Sequence, residues 1–213
     1  VNATDPRNQQ AITTAVPLFL CPSTPGGSGG NRIAQSLWIG KGEFDATMAA
    51  ATTDYNATEG LTDGSRCWLS GWGAPELKTV PWAPPHIPTV SFEDYTDGLS
   101  NTALLVERAG LPDHYWDAGA RHERHAPPAG TWGNVGLWAI SAEQFLNHLD
   151  VLPNLRPINR DNLKTMFSFH PGGALAAMGD GSVLFWDETM DNPTFVAFMT
   201  RDLGECVNRE YCR

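Results

Sequence analysis

Residues 174–186 read ALAAMGDGSVLFW, and this stretch does most to decide the fold. It contains two short apolar runs, 174–178 and 182–186, with Gly179-Asp180-Gly181 between them. An Asp-Gly pair between apolar runs is a strong hairpin signal, because both residues tolerate the positive φ angles of a type I′ turn. The stretch therefore predicts an antiparallel β-hairpin that turns at this Asp-Gly pair.

The segments on either side of this hairpin extend the pattern. Residues 166–170 (MFSFH) alternate apolar and polar residues, which predicts a further strand. Asn192-Pro193 predicts the start of a helix, because Asn caps helices well and proline fits their first turn. The apolar face of this helix would consist of Phe195, Val196, Phe198 and Met199. Gly204 then stands where a helix commonly ends.

The N-terminal half predicts fewer elements. Asp5-Pro6 favours a helix that ends at Val16, because the following proline disfavours helical geometry before it. Residues 18–21 (LFLC) and 102–107 (TALLVE) are typical of short buried strands, and 51–56 could form another. The order of helix, strands, long loops, antiparallel hairpin and helix predicts an α+β fold built on an antiparallel sheet with flanking helices.

Length and composition restrict the classes of protein to which the chain can belong. With 213 residues, we expect a single domain over 1–213 with long irregular loop insertions at about 57–90 and 110–136. The formal net charge of −10 argues against nucleic acid and anionic membrane as partners, since both reward Lys and Arg. No apolar run approaches the roughly 20 residues of a membrane helix, so we expect no membrane segment.

The chain has four cysteines, Cys21, Cys67, Cys206 and Cys212, and no Cys-x-x-Cys motif. An even number of cysteines without metal-binding spacing favours disulfides and an oxidising compartment. Since Cys206 and Cys212 would close a short loop, the predicted pairs are Cys206–Cys212 and Cys21–Cys67. The alternative is four buried free thiols.

Residues that could carry chemistry occur around the hairpin, yet their spacing favours structural roles. His170, Asp180 and Ser182 are the residue types of a catalytic triad. The predicted geometry argues against one, because the side chain of an Asp in a tight turn normally hydrogen-bonds to its own backbone. We therefore predict no catalytic residues and no enzyme, with structural turn roles for His170, Gly172, Gly173, Asp180 and Gly181. A calcium ion held by Asp180, Asp187 and Glu188 is the weaker possibility, and otherwise no cofactor is expected.

Three segments together resemble a known family. They are 15–23 (AVPLFLCPS), 95–109 (YTDGLSNT, then LVERA), and 169–183 (FHPGG, then GDGSV). In this order they are similar to a large planctomycete family of secreted proteins of unknown function, which has a prepilin-type N-terminus and resembles type II secretion pseudopilins. The resemblance implies a pilin-like fold with a long apolar N-terminal helix, and we expect that helix to be absent from this chain.

Composition and resemblance together predict a non-enzymatic, extracellular or cell-surface structural protein that self-associates into a filament, tube or surface layer. Few charges and eight Trp suit a protein with large contact surfaces. We expect Trp116 and Trp132 in or beneath the contact. The alternative is a secreted carbohydrate- or ligand-binding module whose platform would consist of Trp68, Trp72, Trp82, Trp116 and Trp132.

Overall fold

A computed structural model describes residues 6–25, 50–57, 91–111, 113–119, 156–162, 165–202 and 204, and the backbone of 33–34, 61–62, 67–68 and 121–123. The two α-helices among these residues are α1 (Gln9–Ile12) and α2 (Asn192–Met199). The strands are β1 (Ile33–Ala34), β2 (Ala50–Ala51), β3 (Tyr55–Ala57), β4 (Leu61–Thr62), β5 (Cys67–Trp68), β6 (Ala103–Glu107), β7 (His114–Trp116), β8 (Arg121–Glu123), β9 (Gly173–Met178) and β10 (Val183–Asp187).

The central feature is a four-stranded sheet with the strand order β10-β9-β6-β3, in which every neighbouring pair is antiparallel. β6 and β9 lie at its centre, and their register shifts between Ala103 and Leu105. Three further pairs of short strands, β1–β2, β4–β5 and β7–β8, are separate from this sheet. The architecture is α+β with an antiparallel sheet, which confirms the predicted fold class.

The β9–β10 hairpin forms where the sequence predicts it, but its turn has a different type. Met178 N donates to Ser182 O, so Gly179, Asp180 and Gly181 make a three-residue loop. Gly181 N donates to Met178 O, and among the loop residues a positive φ is found at Gly181 (85°). This is a type I turn followed by a left-handed residue, and the predicted two-residue type I′ turn is wrong. The extra residue allows Asp180 to keep an ordinary negative φ.

Helix α2 packs against one face of the sheet. Its N-cap is Asp191, whose carboxylate accepts a hydrogen bond from Thr194 N at 2.7 Å. Asn192, the predicted cap, is instead the first residue of the helix. Trp186 of β10 is fully buried against this helix, with its ring centroid 5.8 Å from that of Phe195 and 5.0 Å from that of Phe198. The core therefore lies between α2 and this face of the sheet, which presents Val106, Ala174, Ala176 and Met178.

Four other expectations for local structure were wrong, two of them in the N-terminal segment. The N-terminal helix ends at Ile12 instead of Val16, because the Thr13 and Thr14 hydroxyls donate to the carbonyls of Gln9 and Gln10 in the final turn. The strand expected at 18–21 is a 3-10 turn at Pro17–Phe19, since proline favours the start of a helical turn.

The strand expected at 166–170 contributes isolated bridges instead of a ladder, including a parallel one between Arg108 and Phe167. Part of the stretch predicted to be irregular, 110–136, forms the β7–β8 hairpin. The single-domain prediction stays a prediction, because most of both insertions lies outside the described residues. None of the helices among the described residues has the length and apolarity needed to cross a bilayer.

Candidate functional site

Three side chains with metal-binding or proton-binding atoms meet at the edge of the second face of the sheet, opposite α2. Cys21 Sγ lies 3.4 Å from His170 Nε2, and Glu107 Oε1 lies 3.6 Å from the same nitrogen. The three atoms are all within 4.8 Å of one another. Cys21 and Glu107 are fully buried, whereas 30% of the His170 side chain is exposed. The cluster is thus a buried pocket of donors with one side open to solvent.

Glu107 enters this cluster because it is the last residue of β6, on the face opposite the core. Its Oε2 accepts a hydrogen bond from the backbone N–H of Leu175 in the neighbouring strand β9 at 3.0 Å. Its Oε1 has no hydrogen-bond partner among the described residues, although the side chain is completely buried. A buried carboxylate oxygen without a partner costs free energy, so this atom indicates a missing partner or a functional role.

Cys21 is held by Asp54, which precedes β3. One carboxylate oxygen of Asp54 accepts from Cys21 N at 2.8 Å and from the Thr24 hydroxyl at 3.1 Å. The other oxygen accepts from Gly110 N at 3.0 Å. Asp54 is fully buried, and its carboxylate therefore ties the N-terminal segment to the loop that follows β6.

His170 is positioned by its own loop and by the N-terminal segment. The Ser168 hydroxyl accepts from His170 N at 3.0 Å, and Ser168 N in turn donates to Asn159 Oδ1 at 2.8 Å. The Ser23 hydroxyl lies 3.2 Å from His170 Nδ1. If Nδ1 carries the ring proton and donates it to Ser23, the lone pair of Nε2 faces Cys21 and Glu107.

The electrostatics of the cluster keep its cysteine protonated. Burial raises the pKa of the Cys21 thiol to about 11, and the neighbouring Glu107 carboxylate adds to the shift. Burial, followed by the charge of Glu107, also raises the pKa of Tyr55 above its ordinary value. Because a nucleophilic cysteine needs a lowered pKa, the free cluster is poorly suited to covalent catalysis. The three converging donor atoms could hold a metal ion.

The predicted calcium ligands do not come together. Asp187 is the last residue of β10, whereas Asp180 lies in the turn that precedes this strand, so the two are separated by the length of the strand, about 13 Å at about 3.3 Å per residue. Asp180 Oδ1 accepts from the backbone and hydroxyl of Ser182, and Asp187 Oδ1 accepts in the same way from Thr189. Their carboxylates therefore shape the turns before and after the strand, and calcium binding by Asp180, Asp187 and Glu188 stays a prediction.

Two of the predicted turn glycines are explained by their surroundings. Gly172 has a φ of 85°, which disfavours other residues. A Cβ atom at Gly173 would collide with the backbone carbonyl oxygen of Trp186 on the paired strand. Because both glycines fit this tight backbone path, β9 begins three residues after His170. The stretch therefore holds the imidazole close to the edge of the sheet.

The remaining predicted site residues are only partly described. Cys21 is a free thiol in the structure, which does not support the predicted bridge to Cys67. Cys206 and Cys212 lie outside the described residues, so their pairing stays a prediction. The Trp116 side chain is half-buried, with its ring centroid 3.5 Å from that of His114. The side chain of Trp68 is not described, and Trp72, Trp82 and Trp132 lie outside the described residues.

Sequence reasoning missed Glu107 and Cys21 as parts of one site. Cys21 was expected in a disulfide, and Glu107 was expected only to end a buried strand. The available signal was the single acidic residue in the run TALLVE, since a carboxylate within a buried run requires a partner. Its partner cannot be read from the sequence, because the other two residues are distant along the chain.

Comparison with known proteins gives a family but no activity. A family model described as "Protein of unknown function (DUF1559)" matches residues 1–192. No curated protein and no solved structure matches the chain. All members of the cluster lie within the matched residues.

Proposed function

The chain belongs to this DUF1559 family of proteins of unknown function, and we propose that it is a non-enzymatic structural protein that self-associates outside the cell. In this proposal it is a pilin- or pseudopilin-like subunit of a filament, tube or surface layer. The contact between subunits uses the second face of the four-stranded sheet, opposite α2.

The observation that carries the proposal is the apolar character of this second face. β-strand alternation places on it Leu105 of β6, Leu175 and Ala177 of β9, and Val183 and Phe185 of β10. Val183 is 60% exposed and Leu105 is 42% exposed, and the other three are partly exposed. An antiparallel sheet that faces water normally carries polar residues there, and a contiguous apolar patch marks a contact surface.

The N-terminal segment carries further exposed apolar side chains. It covers the end of the second face at Glu107, and Phe19 O accepts from Asp54 N at 2.8 Å beside it. Two residues of this segment nevertheless point apolar side chains outward, since Leu18 is 82% exposed and Phe19 is 36% exposed. Burying these groups together with the sheet face would provide the apolar centre of a specific interface, which needs well over about 1,000 Å² in total.

Composition and family likeness agree with an assembling protein. Only 18% of residues are charged, and interface centres are depleted in charge. The resemblance to secreted pseudopilin-like proteins supports an extracellular or cell-surface location and repeated head-to-tail contacts. Head-to-tail contacts that do not close into a ring generate open fibres or tubes.

The proposal is tested by placing a charge on the sheet face. Because the chain is acidic, Val183→Glu or Leu105→Glu would bury an unpaired carboxylate and add repulsion between copies. Sedimentation velocity and negative-stain imaging of the full chain should show large assemblies for the unmodified protein and mainly monomers for both variants. Gln10→Glu, at an exposed position of α1, is the matched control and should assemble normally.

A chain that is monomeric at high concentration would refute the proposal. Equal assembly of Val183→Glu and Gln10→Glu would refute the sheet face as the contact. Circular dichroism spectra of the variants establish that a loss of assembly does not arise from unfolding.

A further inference from the structure

We propose that Cys21, Glu107 and His170 form a binding site for one divalent transition-metal ion, with Zn²⁺ as the ion that fits best. The site adjoins the proposed assembly surface, because the N-terminal segment carries both Cys21 and the exposed Leu18 and Phe19, but Cys21 and Glu107 are themselves fully buried. The bound ion would place a positive charge at the point where the three donor atoms converge.

Two of the three separations between the donors match the coordination geometry of zinc. Zinc–ligand distances of about 2.3 Å to sulfur and about 2.1 Å to nitrogen or oxygen give tetrahedral edges of about 3.6 Å for S···N and about 3.4 Å for N···O. The corresponding separations are 3.4 Å between Cys21 Sγ and His170 Nε2 and 3.6 Å between His170 Nε2 and Glu107 Oε1. The third separation, between Cys21 Sγ and the Glu107 carboxylate, is within 4.8 Å, so an ion could bind once these two side chains draw together.

The orphaned oxygen of Glu107 is an independent indication. Oε1 is buried, lacks a hydrogen-bond partner among the described residues, and is directed at the imidazole nitrogen. If Nδ1 holds the ring proton, two lone pairs face each other across this gap, an arrangement that is unfavourable until a proton or a cation enters it. A metal ion satisfies the carboxylate, the imidazole and the sulfur at once.

The surroundings of the three donors provide the outer support that metal ligands usually have. The Ser23 hydroxyl lies 3.2 Å from Nδ1 of His170 and can accept its proton, and in that tautomer Nε2 is free to bind the ion. Asp54 orients the backbone of Cys21 and adds a second buried carboxylate near the site. Such partners typically contribute 10- to 100-fold in affinity for the metal.

The donor types select among metal ions. A thiolate, an imidazole and a carboxylate suit Zn²⁺, whereas Ca²⁺ and Mg²⁺ prefer sites made of oxygen atoms. Three protein donors leave one tetrahedral position for water, and the partly exposed edge of His170 provides a path from solvent. Binding replaces the S–H bond of Cys21 by an S–metal bond and releases that proton to the solvent, so the affinity should rise with pH.

The test uses the untagged full chain, reduced and stripped of metal with a chelator. Titration with Co²⁺ should produce thiolate-to-cobalt charge-transfer absorption and tetrahedral d–d bands that saturate at one ion per chain. Zn²⁺ should displace the cobalt and abolish these bands. Added Zn²⁺ should also raise the melting temperature, because a ligand that binds the folded state stabilises it.

Variants then assign the site. Cys21→Ser, His170→Gln and Glu107→Gln should each weaken Zn²⁺ binding by at least about 100-fold, and Ser23→Ala by about 10-fold through its effect on the imidazole. Two controls replace the same residue types elsewhere, His114→Gln near Asp161 and Glu93→Gln at an exposed position, and should bind as the unmodified chain does.

The proposal is overturned if Co²⁺ gives no thiolate band, or if the band persists in Cys21→Ser, which would place the sulfur ligand elsewhere. A Cys21 found in a disulfide in the freshly isolated protein would overturn it as well. Ser23→Ala keeps all three ligands and tests the site even if a ligand variant fails to fold.

Discussion

Cys21 Sγ lies 3.4 Å from His170 Nε2, although 149 positions separate the two residues in the sequence. This contact joins the N-terminal segment to the loop that leads into β9. Together with the Asp54 carboxylate, which binds Cys21 N and Gly110 N, it brings three distant parts of the chain to one edge of the sheet.

The buried thiol of Cys21 should make stability depend on alkaline pH. Its pKa rises from 9.0 to about 11 on folding, so the unfolded thiol ionises first. The stability linked to this group is complete below pH 9 and is lost as the pH rises through 11. In chelator, the difference in unfolding free energy between the unmodified chain and Cys21→Ala should shrink over this window. Parallel curves in urea titrations would contradict the burial of the thiol.

Gly181→Val should destabilise the β9–β10 hairpin. Gly181 has a φ of 85° and open space around its Cβ position, so the cost comes from the backbone and not from a collision. We expect a loss of about 1–3 kcal/mol in unfolding free energy. Gly181→Asn is the matched control and should cost less, because Asn adopts left-handed geometry more readily. An unchanged melting temperature for Gly181→Val would argue against the turn.

Asn159 should matter through both its backbone and its side chain. It is buried with a φ of 61°, and its amide bonds to Ser168 N, Gly173 O and Glu188 Oε2. Asn159→Ala removes these hydrogen bonds and leaves Ala with an unfavourable positive φ. Asn159→Gly removes the same hydrogen bonds, but glycine adopts this φ without strain. Chemical denaturation should therefore find the Ala variant less stable than the Gly variant by about 1 kcal/mol. The reverse order would show that the left-handed backbone is not retained.

The cysteines should be found in two states. We expect Cys206 and Cys212 in a disulfide and Cys21 as a thiol that reacts with alkylating agents only after unfolding, since it is fully buried. Non-reducing peptide mass spectrometry with alkylation before and after denaturation separates these states. Rapid alkylation of Cys21 in the folded protein would show that the N-terminal segment does not cover it, and reactive Cys206 and Cys212 would exclude their bridge.

Local signals in the sequence were sufficient for three strands of the central sheet. The Asp-Gly turn between two apolar runs predicted β9 and β10, and the apolar run at 102–107 predicted β6. These signals are reliable because a hairpin needs a suitable turn between two runs that bury their apolar side chains. The apolar run at 18–21 was misread as a strand because Pro17 and an outward-facing Leu18 override its strand propensity.

The cluster of Cys21, Glu107 and His170 could not be predicted from the sequence and depends on the tertiary structure. Cys21, Glu107 and His170 each have a sufficient local explanation, as a disulfide partner, a strand end and a turn residue. Their convergence requires the β6–β9 pairing, which sets Glu107 beside Leu175, and the Asp54 carboxylate, which draws Cys21 to the same edge. A sequence encodes turns and periodicity through neighbouring residues, whereas contacts between distant residues depend on which strands pair, and only the folded chain decides that.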